Sequence, residues 1–86
     1  MDNIFDEIEN ERNKQDAQWG GPEHDDTHST FEFRLQIDRQ AGFIQHNPQS
    51  VADDRQRLIK IAALAFAAVQ SIDRKNPQIV LNDKKE

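Results

Sequence analysis

Between Glu23 and His28 the chain reads Glu-His-Asp-Asp-Thr-His, with no apolar side chain among them. Two imidazoles and three carboxylates in so short a loop form the densest set of potential ligands in the sequence. His24, Asp25, Asp26 and His28 are the candidate metal ligands; the ring nitrogens suit zinc or manganese, the carboxylate oxygens magnesium. A plainer role is the first expectation for this stretch, in which Asp, Thr and Ser cap the following helix and the histidines face water. Contiguous ligands on one loop rarely close a metal site without help from another element.

A second polar group lies upstream. Glu7 and Glu11 are one helical turn apart, so they can face the same site. Glu11, Arg12 and Gln15 stand where the core side of a helix is expected, and they form either a solvated face or the wall of a polar pocket. Trp19 at the end of this stretch can stack a base. The tight Gly20-Gly21-Pro22 turn sends the chain back toward the first helix, which places His24, Asp25 and Asp26 beside Glu11, Arg12 and Gln15. These six residues, together with Trp19, make the candidate ligand-binding set: Glu11, Arg12, Gln15, Trp19, His24, Asp25 and Asp26. Arg12 is expected to take Asp25 or Asp26 as its carboxylate partner.

Other chemistries find little support. There is no cysteine, no serine in a recognisable nucleophile elbow, and no catalytic residue is assigned. Gly20-Gly21 lacks the preceding strand and the following Lys-Ser/Thr of a phosphate-binding loop.

These residues have to be positioned by helices. The organising stretch is Ser50 to Lys75. Ser50 can cap it, with Asp53 three residues on; Asp53 and Asp54 suit the positive end of the helix dipole, Arg74 and Lys75 the negative end. Asn76-Pro77 stops it. Leu58, Ile61, Ala62, Ala65, Val69 and Ile72 recur at helical spacing, and Ile59, Ala63, Leu64, Phe66 and Ala68 fill most of the remaining circumference. A helix apolar nearly all round is normally buried on several sides. Leu58, Ile61, Ala62, Ala65, Phe66 and Val69 are therefore the expected oligomer interface.

The first helix spans about residues 3–19, capped by Asp2 or Asn3, with Ile4, Phe5, Ile8, Gln15 and Trp19 along one broad face. Residues 29–46 are ambiguous. Phe31, Phe33, Leu35 and Ile37 alternate with polar residues as in a strand. Against this, Ser29-x-x-Glu32 is a capping box, and Phe33, Ile37, Ala41 and Ile44 share a helical face. A lone strand is marginal in water, so the segment reads as a helix over about 30–46, weakened by Gly42 and closed by His46-Asn47-Pro48. Gln78 to Leu81 can pack on the helices or pair as a small strand, and the last four residues should fray. The expectation is a single all-α domain over 1–86, a small helical bundle of three helices (about 3–19, 30–46 and 51–75) with one long apolar C-terminal helix.

Eighty-six residues without cysteine support one core of only about 3–5 kcal/mol and no disulfide staple. Oligomerisation is the remaining common source of stability. The formal net charge of −5 argues against direct nucleic-acid binding, which calls for clustered Lys and Arg. The opening residues 1–11 have neither the basic nor the apolar region of a secretory signal. The apolar run 61–69 is too short to span a membrane. A soluble, cytoplasmic protein is expected.

The pattern Glu11-Arg12-x-x-Gln15-Asp16-x-x-Trp19-Gly20, then His24-Asp25-Asp26, then Arg57-Leu58-Ile59-Lys60-Ile61-Ala62-Ala63-Leu64-Ala65 and Ser71-Ile72-Asp73-Arg74, resembles a group of small, mostly uncharacterised phage and prophage proteins. The resemblance covers roughly residues 4–75. Some relatives with similar ends are labelled MazG-like, after the all-α nucleotide pyrophosphohydrolases. Those enzymes are dimers of helical hairpins that hold magnesium through a Glu-Glu-x-x-Glu motif on one helix and a Glu-x-x-Asp motif on the next. Here the second helix offers Glu32, then Gln36 and Asp38. The long helix offers Asp53 and Asp54 and has lysine or alanine where acids are needed. The resemblance therefore implies a non-catalytic accessory protein of the phage type. It would be an acidic homo-oligomer that binds a host protein or a small nucleotide ligand in the host cytoplasm, inhibition of a host defence system being one such role. The alternative it implies is a metal-dependent nucleoside triphosphate pyrophosphohydrolase using Glu7, Glu11, His24, Asp25, Asp26 and His28 with Mg or Mn. No cofactor is expected otherwise.

Overall fold

The computed structural model describes residues 3–44 and 51–78. Every element among them is a helix: α1 (Ile4–Trp19), α2 (Gly21–Asp25), α3 (Thr30–Gly42) and α4 (Val51–Lys75). The expected Ser50 cap, the His46-Asn47-Pro48 stop and the packing of Ile79 to Leu81 fall outside the described residues.

Local sequence accounts for most of the helix ends. Asn3 caps α1, its side-chain oxygen accepting from the Phe5 N–H at 2.8 Å. Gly20 ends α1 at φ 107°, with its N–H bonded to the Asp16 carbonyl at 2.9 Å. A residue with a Cβ is strained in that left-handed conformation. The chain then re-enters a helix at once, because Pro22 sits at a first-turn position where its missing N–H costs nothing. The stretch expected to be an irregular loop is thus the five-residue helix α2 followed by a turn in which the Thr27 and His28 N–H groups bond the His24 and Asp25 carbonyls.

The capping box decides the ambiguous segment in favour of a helix. The Glu32 N–H donates to the Ser29 hydroxyl at 3.1 Å and the Ser29 N–H to the Glu32 carboxylate at 3.2 Å. Only the helical arrangement turns Phe33 inward, while Phe31 and Leu35, its partners in the strand pattern, are exposed. Contrary to expectation, α3 stops at Gly42, and Ala41 faces solvent while Gln40 is half-buried. The Phe43 and Ile44 N–H groups reach back only three residues, to Gln40 and Ala41. Gly42 weakens the turn, and the tighter bonds end the helix.

The axis of the fold is α4. Its 25 residues carry Asp53 and Asp54 in the first turn and Arg74 and Lys75 in the last. Its buried residues are Ile59, Ala63, Ala67, Ala68 and Ser71, a stripe of mostly small side chains at a spacing of four. The expectation of a helix buried on several sides does not hold: Leu58, Phe66 and Val69 are each more than half exposed. Small residues at the contacts let the other helices approach closely, and Phe33 of α3 packs against Ala67 and Ala68.

Glu7–Arg55 near one end of α4 and Asp26–Arg74 near the other run α1 parallel to α4. Gln40–Arg57 and Lys75–His28 run α3 antiparallel to it. Both helices dock on α4, yet their backbones nowhere come within 8 Å of each other, Cα to Cα. The reason lies in α1, where no residue is buried and whose half-buried residues are Glu7, Ile8, Glu11, Arg12, Gln15 and Asp16. A stripe so polar offers α3 no apolar surface to close upon. A groove remains between α1 and α3, floored by α4 and closed at one end by α2. None of the described helices is long and apolar enough to cross a membrane.

Candidate functional site

The groove holds a cavity of about 590 Å³. Three helical stripes converge on it: Glu11, Gln15, Gln18 and Trp19 from α1; Phe33, Gln36, Gln40 and Phe43 from α3; Arg57, Lys60, Leu64 and Ala67 from α4. Asp16, His24, Asp25, His28 and Arg39 complete its lining. Arg57 and Ala67 are ten positions apart on α4, so the floor is about 15 Å long.

Its two ends differ chemically. At the α2 end, Trp19 stacks on His24 with centroids 6.1 Å apart and planes 23° apart. His24 meets His28, Nε2 to Nε2, at 2.9 Å. The His28 Nδ1–H donates to Glu32 at 2.8 Å, and the His28 ring sits edge-on to Phe33. The bond to His28 holds the Glu32 carboxyl below the usual carboxylate range. At the other end the groove is cationic. Arg57 lies over the Phe43 ring at 4.4 Å and donates to Gln40 at 3.1 Å. Arg39 and Lys60 have no hydrogen-bond or ion-pair partner among the described residues.

The α2 segment is fastened to the end of α4. Arg74 forks onto Asp26 with contacts of 2.7 and 3.1 Å, and Asp26 is held below its usual pKa chiefly by that bond. The buried Ser71 hydroxyl donates to Asp26 at 2.9 Å and lies 3.4 Å from the Asp25 carbonyl. Lys75 donates to the His28 carbonyl at 2.8 Å. A forked Arg–carboxylate pair sharing a buried hydroxyl fixes geometry better than a lone surface pair. Asp25 behaves oppositely: burial, reinforced by the nearby negative charge of Asp16, pushes its carboxyl above the usual value.

Five of the seven expected ligand-binding residues, Glu11, Gln15, Trp19, His24 and Asp25, line this one cavity. The polar stripe of α1 is thus the wall of a pocket. Arg12 and Asp26 do not line it. Asp26 is taken by Arg74 and Ser71, and Arg12 turns to the opposite side of α1, where its guanidinium lies 5.0 Å from the Phe66 ring centroid. The Arg12 Nε is buried without a hydrogen-bond partner. The expected Arg12–carboxylate pair is replaced by Arg74–Asp26, because α4 brings a second arginine directly under α2.

Of the four candidate metal residues, His24, Asp25 and His28 line the cavity, with His24 and His28 in contact, and Asp26 is drawn off to Arg74 and Ser71. Among the described residues no group of three or more His, Asp or Glu side chains is arranged to hold a metal. Of the residues a hydrolase-type site would use, Glu11, His24, Asp25 and His28 line the one cavity, while Glu7 is forked onto Arg55 at 2.7 and 2.5 Å and Asp26 onto Arg74. Sequence reading missed the cationic end altogether. The signal was present as the spacings 36-40-43 on α3 and 57-60-64-67 on α4. It was masked because the apolar residues of α4 suggested a different inward stripe.

The other side of α1 and α4 forms an open groove of about 870 Å³, lined by Phe5, Ile8, Ala62, Ala65, Phe66 and Val69 among others. Phe5 is 77 % exposed and Phe66 51 %. Four of the six expected oligomer-contact residues lie here, while Leu58 and Ile61 fall outside it.

Compared with protein-family models, with curated proteins and with solved structures, the chain matches none of them.

Proposed function

We propose that this protein is a non-catalytic accessory module of the phage type, and that the α1–α3 groove binds a small nucleotide. The observation that carries this reading is the polarity of the groove along its length. Trp19 stacked on His24 offers an aromatic surface at one end, and Arg39, Arg57 and Lys60 offer positive charge toward the other. A base on an indole ring contributes about 1–3 kcal/mol, and phosphates are met by charge-assisted hydrogen bonds from the two guanidiniums and the ammonium. A floor of about 15 Å accommodates a nucleotide lengthwise. Between a host protein and a nucleotide as the groove's partner, this concave and polar lining favours the nucleotide.

The non-catalytic reading is supported by two acids of the hydrolase alternative being engaged elsewhere. Hydrolysis of a triphosphate by the hydrolase route needs acids converging on metal to neutralise charge and activate water, and Glu7 and Asp26 are committed to arginines. Titration with nucleoside mono-, di- and triphosphates is expected to give saturable binding without hydrolysis. Trp19 is the single tryptophan, so its fluorescence reports occupancy. Lys60→Glu, read by the same fluorescence, and Trp19→Ala, read by calorimetry because it has no tryptophan, are each expected to weaken binding about tenfold or more. Binding of no member of the panel up to millimolar concentration sinks the nucleotide reading. Magnesium- or manganese-dependent release of monophosphate, abolished by Glu11→Ala, promotes the enzyme in its place.

The apolar groove supports a second element of the proposal, a homo-oligomer in which another copy of this chain covers Phe5, Ala65, Phe66 and Val69. Exposed aromatic and aliphatic side chains this close together are uncommon on a lone soluble domain. Ala65→Glu places an unpaired charge in that contact. It is expected to shift the particle to monomer in light scattering while leaving its circular dichroism helical. A wild-type chain that remains monomeric at hundreds of micromolar rules the contact out.

A further inference from the structure

The two histidines at the aromatic end carry an inference independent of the nucleotide reading. We infer that His24 and His28 form a two-imidazole site for a divalent transition-metal ion that prefers right-angled nitrogen ligands, copper(II) or nickel(II), its remaining positions open to water or to a molecule in the groove. Three observations converge on it.

The first is distance and ring placement. The Nε2 atoms lie 2.9 Å apart and the ring centroids 4.6 Å apart. Two imidazoles at right angles on one ion, each with a metal–nitrogen distance of about 2.05 Å, put their nitrogens about 2.9 Å and their centroids about 4.6 Å apart. A linear N–H···N bond of that length separates the centroids by about 5.3 Å. A tetrahedral ion spreads the nitrogens to about 3.3 Å, so the geometry favours a tetragonal ion over zinc.

The second is the tautomer. The Glu32 carboxylate accepts from the Nδ1–H of His28 and, through its other oxygen, from the Ser29 N–H. Both oxygens are thereby oriented, and they favour the Nδ1–H tautomer of a neutral His28 ring. The Nε2 lone pair is left facing His24. A carboxylate behind the ring is the outer partner that metal-bound histidines usually have.

The third is access. Both histidines line the groove, and Trp19 and Phe33 hold the two rings from their far sides. Asp26 cannot contribute, since Arg74 and Ser71 occupy it. The site therefore has two protein ligands on a preorganised frame, and the polar groove supplies the others as water.

The test is titration of the full chain with copper(II) and, separately, nickel(II) in a non-chelating buffer, read by Trp19 fluorescence and by electron paramagnetic resonance of the copper form. Trp19 stands within stacking distance of His24, so copper there is expected to quench it saturably at one equivalent. The spectrum should show two imidazole nitrogens. His24→Gln and His28→Gln are each expected to abolish the one-equivalent phase, and Glu32→Gln to weaken it 10–100-fold. His46→Gln, which removes the third histidine of the chain, should leave it unchanged. Circular dichroism establishes that each variant is folded, and the resonance spectrum of the wild-type chain decides the matter if one is not. Absence of saturable quenching in the wild-type chain, a spectrum without two imidazoles, or equal binding by the His24, His28 and His46 variants overturns the site.

Discussion

Replacing Phe33 with alanine is expected to unfold the domain at room temperature. Phe33 is 4 % exposed, and among the described residues the buried apolar set otherwise consists of Ile59, Ala63, Ala67 and Ala68. It is thus the one large ring in the core, and it is what docks α3 onto the alanines of α4. Truncating a buried phenylalanine costs about 3–5 kcal/mol. A single core in a chain of this size supplies about the same amount, so the variant has no margin. Circular dichroism at 25 °C should show a broad, non-cooperative melt with much reduced helicity. Phe33→Leu fills most of the volume and is expected to retain a cooperative transition at lower temperature. A Phe33→Ala protein with a wild-type midpoint would mean that α3 is held by something other than this contact.

Ala63→Leu is expected to destabilise as well, by less and for the opposite reason. Ala63 is 0 % exposed and lines neither of the two grooves, so added methylenes have no space to enter. Overpacking of this kind costs about 1–3 kcal/mol, and each kcal/mol lowers the midpoint by about 4–8 °C in a domain this small. Ala67→Leu is the informative comparison, since Ala67 borders the α1–α3 cavity and its side chain can expand into it. The expected order of thermal midpoints is wild type, then Ala67→Leu, then Ala63→Leu. The reverse order would show that the floor of the cavity is more tightly packed than the helix contact beside it.

Helix identity was legible in the sequence wherever a backbone end had a side chain to satisfy it. Asn3 and Gly20 bound α1, the Ser29–Glu32 box opens α3, and Arg74 and Lys75 mark the last turn of α4. These are interactions over two to four residues, and a linear sequence contains them in full. The box was enough to overrule an alternation of Phe31, Phe33, Leu35 and Ile37 that reads as a strand. The proximity of Trp19, His24 and Asp25 to Glu11 and Gln15 was legible for the same reason, since the Gly20-Gly21-Pro22 turn leaves the chain few directions to take.

What the sequence could not decide was which face of each helix meets a neighbour. On α4 the larger apolar residues suggested one inward stripe, and the fold buries another, Ile59-Ala63-Ala67-Ser71, because close approach of three helices is limited by side-chain size more than by hydropathy. The sequence pointed to Arg12 as the partner of Asp25 or Asp26. The parallel run of α1 and α4 put Arg74 under α2 and carried Arg12 round to Phe66. The cationic end of the groove depends wholly on such placement. Arg39 and Arg57 are 18 positions apart in sequence, and they share a cavity with Glu11 and Trp19 only because α1 and α3 both lie on α4 with their backbones held apart. Local rules set where each helix starts and stops, whereas a groove between helices exists only once the steric fit of their faces has set the distance between their axes.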